Sequence, residues 1–162
     1  DIDRTFQIAK PFGDLSVLEN VAVGAYNKCK TKSEAYAKAK QCIEFTGLSG
    51  KEDTNAGTLN TGEQRRLELA RALATSPELL LLDEVMAGLT PTESQEMVEL
   101  IRDVKEQGVT ILMIEHIMPV IMALSDTVYV LESGRLICKG TPEEVSQNTQ
   151  VIESYLGRSQ EA

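Results

Sequence analysis

The stretch LLLLDEVMAGL, Leu79 to Leu89, drives four consecutive leucines into two adjacent carboxylates, Asp83 and Glu84. An apolar run this short is expected to be a strand. Because it does not alternate, both of its faces are expected to be covered, as in a parallel sheet. In open α/β sheets ligands sit beyond the carboxyl ends of the strands, which is where the two acids would emerge. Such a pair suits a magnesium ligand beside a base, since Mg²⁺ takes one or two carboxylates together with substrate phosphates. The plainer alternative is a strand that leaves the core with two solvated acids.

A second apolar run, Val109 to Ile114, is rich in β-branched residues and is followed by Glu115 and His116, the one histidine of the chain. Between the two runs Thr90-Pro91-Thr92-Glu93 caps a helix with Pro at its first position. Its stripe of Met97, Leu100, Ile101 and Val104 ends before Gly108. Strand, helix, strand makes a βαβ unit. The most membrane-like segment, Val109 to Ser125, is shorter than the ~20 residues of a spanning helix and is broken by Glu115, His116 and Pro119. It reads as a buried strand followed by a buried helix. Thr127 to Leu131 and Arg135 to Cys138, joined through Glu132-Ser133-Gly134, predict an antiparallel hairpin. Thr141-Pro142-Glu143-Glu144 caps a short helix, and VIESYLG, Val151 to Gly157, predicts another.

Upstream of Pro77 the pattern is helical. Ser16 three residues ahead of Glu19 opens a helix over Val17 to Ala25, and Ser33 to Thr46 gives a second, stopped by Gly47. Asn60-Thr61-Gly62-Glu63 repeats the capping spacing and opens a third helix through about Ala74.

The 162 residues are enough for one domain of common size. With 25 acids against 16 bases the net charge is −9, which supplies no basic stripe and disfavours nucleic acid as a partner. Cys29, Cys42 and Cys138 show neither a disulfide framework nor metal-ligand spacing and read as buried free thiols. The start lacks the basic and apolar segments of a secretory signal.

Five motifs fall in one order: RTFQ at residues 4–7, LSVLENV at 15–21, QRRLELARAL at 64–73, IEH at 114–116, and GTPEEV followed by VIESYLG. In that order and spacing the chain resembles the ATP-binding subunit of an ABC transporter over essentially its whole length, most closely the branched-chain amino-acid importer group. The resemblance implies an α/β fold: a partial RecA-like P-loop NTPase core, of parallel strands plus a terminal hairpin, with an inserted helical subdomain. It divides the chain into 1–7, the end of the first core segment; 8–76, the helical subdomain; 77–140, a core half; and 141–162, the C-terminal helices.

The same resemblance implies roles. Gln7 is similar to the Q-loop glutamine, which contacts the magnesium or attacking water; a surface glutamine is the plain alternative. Leu59 to Gln64 resembles the signature motif, so that Asn60, Thr61, Gly62, Glu63 and Gln64 would press a helix N-terminus onto the γ-phosphate of ATP held by the opposite subunit. That end of a helix suits an anion. Asp83 resembles the Walker B aspartate that holds Mg²⁺, Glu84 the catalytic glutamate that orients or deprotonates water, and His116 the H-loop histidine that contacts the γ-phosphate. Ala87 to Thr90 resembles the D-loop. The chain departs from the family at Asn60, where Ser is usual, at Thr61 and Glu63, at Val85, where Pro is usual, and at Thr90, where Asp or Asn is usual.

The implied function is ATP hydrolysis powering solute import, of branched-chain or related hydrophobic amino acids. ATP and Mg²⁺ are the implied cofactors. A second ATP-binding subunit, homo- or heterodimeric, transmembrane permease subunits and, indirectly, a solute-binding protein are the implied partners. The implied location is cytoplasmic, peripheral on the inner face of the cell membrane. No Gly-x-x-x-x-Gly-Lys-Ser/Thr occurs in the 162 residues, which reads as a C-terminal portion lacking the Walker A cradle. Little ATP turnover is therefore expected from the chain alone, and its sheet is expected to expose apolar surface that makes it marginal or oligomeric. The competing reading is a noncatalytic fragment or interaction module that docks on a permease. An ABC ATPase of repair or translation is disfavoured by the acidic charge and the importer-like tail.

Overall fold

The chain divides into two compact units, residues 1–115 and 116–162, in a computed structural model that describes residues 2–4 and 11–156. In the first unit a short strand β1 (Ile2–Arg4) is followed by helices α1 (Val17–Ala25), α2 (Lys32–Phe45) and α3 (Thr61–Ala74). Strand β2 (Leu79–Asp83), helix α4 (Pro91–Glu106) and strand β3 (Thr110–Ile114) complete it. The strands form one parallel sheet in the order β1-β2-β3, with Ile2 opposite Leu79 and Leu80 opposite Ile111. β1 has no counterpart among the strands expected from the sequence, because three residues carry too little pattern to register.

Every long helix starts where a side chain takes over the amides that the first turn leaves without intrahelical acceptors. Ser16 with Glu19, Thr31 with Glu34, Asn60 with Glu63 and Thr90 with Glu93 each form a reciprocal capping box. The box at Thr31 starts α2 at Lys32, one residue before the expected Ser33.

α1, α2 and α3 bury Val17, Val21, Ala39, Ile43, Leu67 and Ala70 among one another. Buried Asn20 fastens the preceding turn to this core. Its Oδ1 accepts from the Phe12 N–H at 2.8 Å, and its Nδ2 donates to the carbonyls of Phe12 at 3.0 Å and Ser16 at 2.9 Å. A buried amide so fully paired costs no unsatisfied polar group.

The expectation that both strands are covered on both faces is corrected. Burial alternates along β2, with Leu80 and Leu82 at 0% and 2% exposure, whereas on β3 Leu112 and Ile114 stand 57% and 61% exposed. Among the described residues β3 pairs with β2 alone, at the edge of the three-stranded sheet. Strand side chains point alternately to opposite faces, and Leu112 and Ile114 share the outward one.

In the second unit α5 (Met118–Leu124) is not the buried helix expected from its sequence, since Val120 is its one buried residue. Two turns of helix can bury only a narrow stripe. Strands β4 (Val128–Glu132) and β5 (Arg135–Gly140) form the expected hairpin. Its Ser133 and Gly134 both take positive φ, 49° and 78°, the geometry that matches the twist of paired strands. α6 (Pro142–Ser146), capped by Thr141, and α7 (Thr149–Val151) with a π-turn over Ile152–Leu156 follow. Val130, Val145 and Val151 form the local core. Of the three thiols only Cys42 is buried, and burial raises its pKa; Cys29 and Cys138 are half-buried, and all three are free.

α1 reaches α3 through Gly24: a Cβ there would stand inside the van der Waals envelope of the Arg71 carbonyl oxygen and 3.3 Å from the Ala74 Cβ. Gly24→Ala is therefore expected to cost about 1–3 kcal/mol of overpacking, more than the ~1 kcal/mol it gains in helix propensity. A lowered urea midpoint would be the sign; a raised one would show that α1 and α3 separate freely.

Candidate functional site

Asp83 is the last residue of β2, and the chain turns at once. The Glu84 N–H donates to the Ile114 carbonyl at 2.9 Å, carrying the β2–β3 ladder one rung past the strand. Glu84 itself takes φ +46°, a left-handed conformation that costs a residue with a Cβ roughly 1–2 kcal/mol. Strain of this kind persists where the surroundings over-determine it, often at functional sites. The surroundings here are explicit. Val85 and Met86 are buried, the Ala87 N–H bonds the Glu84 carbonyl at 3.1 Å, and the Met86 N–H donates to Glu115 Oε1 at 3.1 Å. Gly88, at φ +81°, completes the turn without a Cβ to strain. Asp83 and Glu84 are both half-buried.

The start of α3 meets this turn. A Cβ on Gly88 would lie 3.2 Å from Thr61 Cγ2, and Arg65 Nη2 reaches the Ala87 carbonyl at 3.4 Å. Arg65 is buried beside Glu68, Nη1 to Oε2 at 3.5 Å. Gly62 is buried against α4, where a methyl would stand 2.5 Å from Glu93 Oε1. The signature-like turn, the residue 84–89 turn and the start of α4 are thereby packed together in one unit.

At the α3 N-terminus Asn60 Oδ1 accepts from the Glu63 N–H at 2.9 Å, and Glu63 Oε2 accepts from the Asn60 N–H at 3.0 Å. Gln64 Nε2 donates to the Leu59 carbonyl at 3.0 Å. Glu63 is also paired with Lys51 Nζ. That hydrogen bond from Lys51, more than the Asn60 amide, holds the Glu63 carboxyl below the ordinary carboxylate value. Glu93 is lowered too, by the Thr90 amide and hydroxyl first and by Arg66 more weakly, while the nearby Glu63 charge opposes it. The anion-favouring end of α3 thus carries one carboxylate of its own, Glu63, which engages the Asn60 amide, and a second, Glu93 of α4, lies beside it. The caps expected at Asn60 and Thr90 are present.

Gln7 lies outside the described residues, and His116 is the exposed first residue of the second unit. Arg65 and Glu115 escaped the sequence reading. Glu115 carried the same signal as Asp83, an acid ending an apolar strand; Arg65 carried only its place on the apolar face of α3.

Among the described residues no three His, Cys, Asp or Glu side chains come together as a metal cage. A single carboxylate at a strand end fits Mg²⁺ only when phosphate oxygens and waters supply the remaining ligands, which is the donor set that ion prefers.

Known proteins carry the same pattern. Residues 1–87 match the ABC transporter family model, and residues 135–160 that of the branched-chain amino acid ATP-binding cassette transporter. The chain is 40% identical to the high-affinity branched-chain amino acid transport ATP-binding protein LivG of Salmonella typhimurium, over 96% of this chain and 68% of that protein. To the probable LivG of Archaeoglobus fulgidus it is 34% identical, over 96% and 65%. Among solved structures it superposes on MJ1267, an ATP-binding cassette of an ABC transporter, with a TM-score of 0.82 at 30% identity, covering 94% of this chain and 67% of that one. The fold shared with that cassette is the RecA-like P-loop fold, as expected from the sequence.

The lowered pKa of Glu63 sets a sign for acid stability. Ionised Glu63 stabilises the fold at pH above the ordinary glutamate value, and this contribution is lost as pH falls through its lowered folded value. Glu63→Gln keeps an acceptor for the Asn60 N–H but has no charge to titrate. Its thermal midpoint is expected to fall less steeply than the parent's between pH 6 and about 3; superimposable acid limbs would remove Glu63 from the account.

Proposed function

The chain belongs to the ABC transporter family, and on that premise we propose that it serves as an ATP-hydrolysing subunit that powers import of branched-chain or related hydrophobic amino acids. The observation that carries this reading is the packing of Thr61, in the signature-like turn, against Gly88, in the turn that begins at Glu84. Groups suited to a phosphate anion and groups suited to a metal and a water are thereby held in one neighbourhood.

In the proposed mechanism Asp83 would hold Mg²⁺, and Glu84 orients the attacking water and takes its proton. Bound Mg²⁺ would offset the charge that builds on the transferring phosphoryl group. Gln7 would contact the magnesium or the water, and His116 the γ-phosphate. Asn60 to Gln64 present the α3 N-terminus to ATP held by a second ATP-binding subunit, homo- or heterodimeric. Glu63 and Glu93 crowd that end with negative charge, so an arriving phosphate competes with Glu63 for the Asn60 amide.

Residues 8–76 serve as the helical subdomain that docks on transmembrane permease subunits, with a solute-binding protein acting through them. Residues 1–7 and 77–140 contribute to the nucleotide-binding core, and 141–162 form its C-terminal helices. The location is the inner face of the cell membrane, as a peripheral subunit. No described helix is long and apolar enough to cross a membrane. The 162 residues contain no Gly-x-x-x-x-Gly-Lys-Ser/Thr, so negligible turnover is proposed for the chain alone, and the ATPase reading applies to an assembled transporter whose phosphate cradle is complete.

Glu84→Gln in that assembly is expected to lower ATP turnover by about 10²-fold or more while nucleotide binding and assembly persist, and to abolish uptake of labelled leucine. Turnover within a factor of about two of the parent would take the catalytic role from Glu84.

A further inference from the structure

The turn that carries Glu84 holds a left-handed, non-glycine backbone at the residue from which the proposed chemistry departs. Backbone strain of that kind relaxes unless neighbouring groups fix both ends of the turn. On the strand side two hydrogen bonds do so: Glu84 N–H to the Ile114 carbonyl at 2.9 Å, and Met86 N–H to Glu115 Oε1 at 3.1 Å. The first is a backbone rung available to any sequence. The second depends on one side chain, half-buried at the end of β3.

The two donors are separated by one residue, Val85, and both bond residues at the end of β3, so they define the direction in which the chain leaves β2. On the opposite side Arg65 Nη2 approaches the Ala87 carbonyl at 3.4 Å. A hydrogen bond to an ionised carboxylate is stronger than one to a neutral acceptor, and at 3.1 Å the Glu115 contact is within normal range.

We propose that Glu115 is a positioning residue for Glu84: its carboxylate anchors the Met86 amide and thereby fixes the left-handed turn that aims the Glu84 side chain. The proposal rests on the reading of Glu84 as the catalytic glutamate. Glu115 touches neither water nor phosphate in this role. Removing its acceptor frees the Met86 amide and lets Glu84 relax toward ordinary backbone geometry, which disperses its carboxylate over several orientations.

Two readouts test this. In the full 162-residue chain, amide hydrogen exchange at Met86 and the Cα and Cβ chemical shifts of Glu84 are compared in the parent, Glu115→Gln and Glu115→Met. Gln keeps an oxygen acceptor, and Met keeps comparable length without one. Met86 exchange is expected to quicken about ten-fold or more in Glu115→Met, and Glu84 shifts to move away from left-handed values, while Gln stays near the parent. The β2 amides at Leu80 and Leu82 report whether the fold is retained; should the Met variant fail to fold, Glu115→Ser, with too short a reach to bond Met86, is compared with Gln on the same signals. Unchanged Met86 exchange in the folded acceptor-free variant, or equal losses in Gln and Met, would overturn the anchor.

In the assembled transporter Glu115→Met is expected to lower kcat with KM for ATP held within about two-fold, and Gln to restore kcat. An unaltered kcat would overturn the positioning role. Glu84→Gln run in parallel separates the two claims: full activity in that variant removes the catalytic reading, whereas Met86 exchange reports the anchor whatever the activity.

Discussion

The hydrogen bond from the Glu84 amide to the Ile114 carbonyl, 2.9 Å, is the constraint from which the rest of the site follows. It extends a parallel ladder whose strands are held from beneath by Leu80 and Leu82, and it does so at the residue where the chain must leave the sheet. At this rung Glu84 adopts positive φ. The turn then buries Val85 and Met86, presents Gly88 to Thr61, and delivers Thr90 to the N-cap of α4. Apolar burial supplies the anchoring energy, and hydrogen-bond geometry decides where the two carboxylates emerge.

Electrostatics around α3 impose a second constraint. A helix N-terminus favours anions, yet this one already holds Glu63, with Glu93 alongside Gly62. Lys51 and Arg66 compensate: Lys51 pairs with Glu63, and Arg66 bonds Glu96 at 2.6 Å while lowering the Glu93 pKa. A glutamine at position 63 would bring no charge. The glutamate here makes the cap stronger as a cap and more competitive toward phosphate, so the same substitution stabilises the helix and opposes its proposed ligand.

Much of this was legible without coordinates. The capping boxes at Ser16, Asn60 and Thr90 were readable because they are local: a side chain and an amide three residues apart meet wherever a helix begins. The hairpin over Glu132 to Arg135 was readable for the same reason. The burial of β3 was misread, since a run of apolar residues looks the same whether one face or two are covered, and Leu112 and Ile114 turned out exposed. The contacts of Glu115 and Arg65 were not readable because their partners, Met86 and Ala87, lie 29 and 22 residues away.

The sequence by itself determined the family, the order of elements from α1 onward, the caps at Ser16, Asn60, Thr90 and Thr141 and the adjacency of Asp83 to Glu84, all of which depend on residue identity and short-range spacing. Only the tertiary structure decided that Glu84 sits in a left-handed turn, that Glu115 holds that turn, and that Gly62 and Gly88 are closely approached by Glu93 and Thr61. The reason is physical. Local hydrogen bonds close over three or four residues and leave a signature in the chain, whereas contacts between distant segments form only when burial of the core has brought them together.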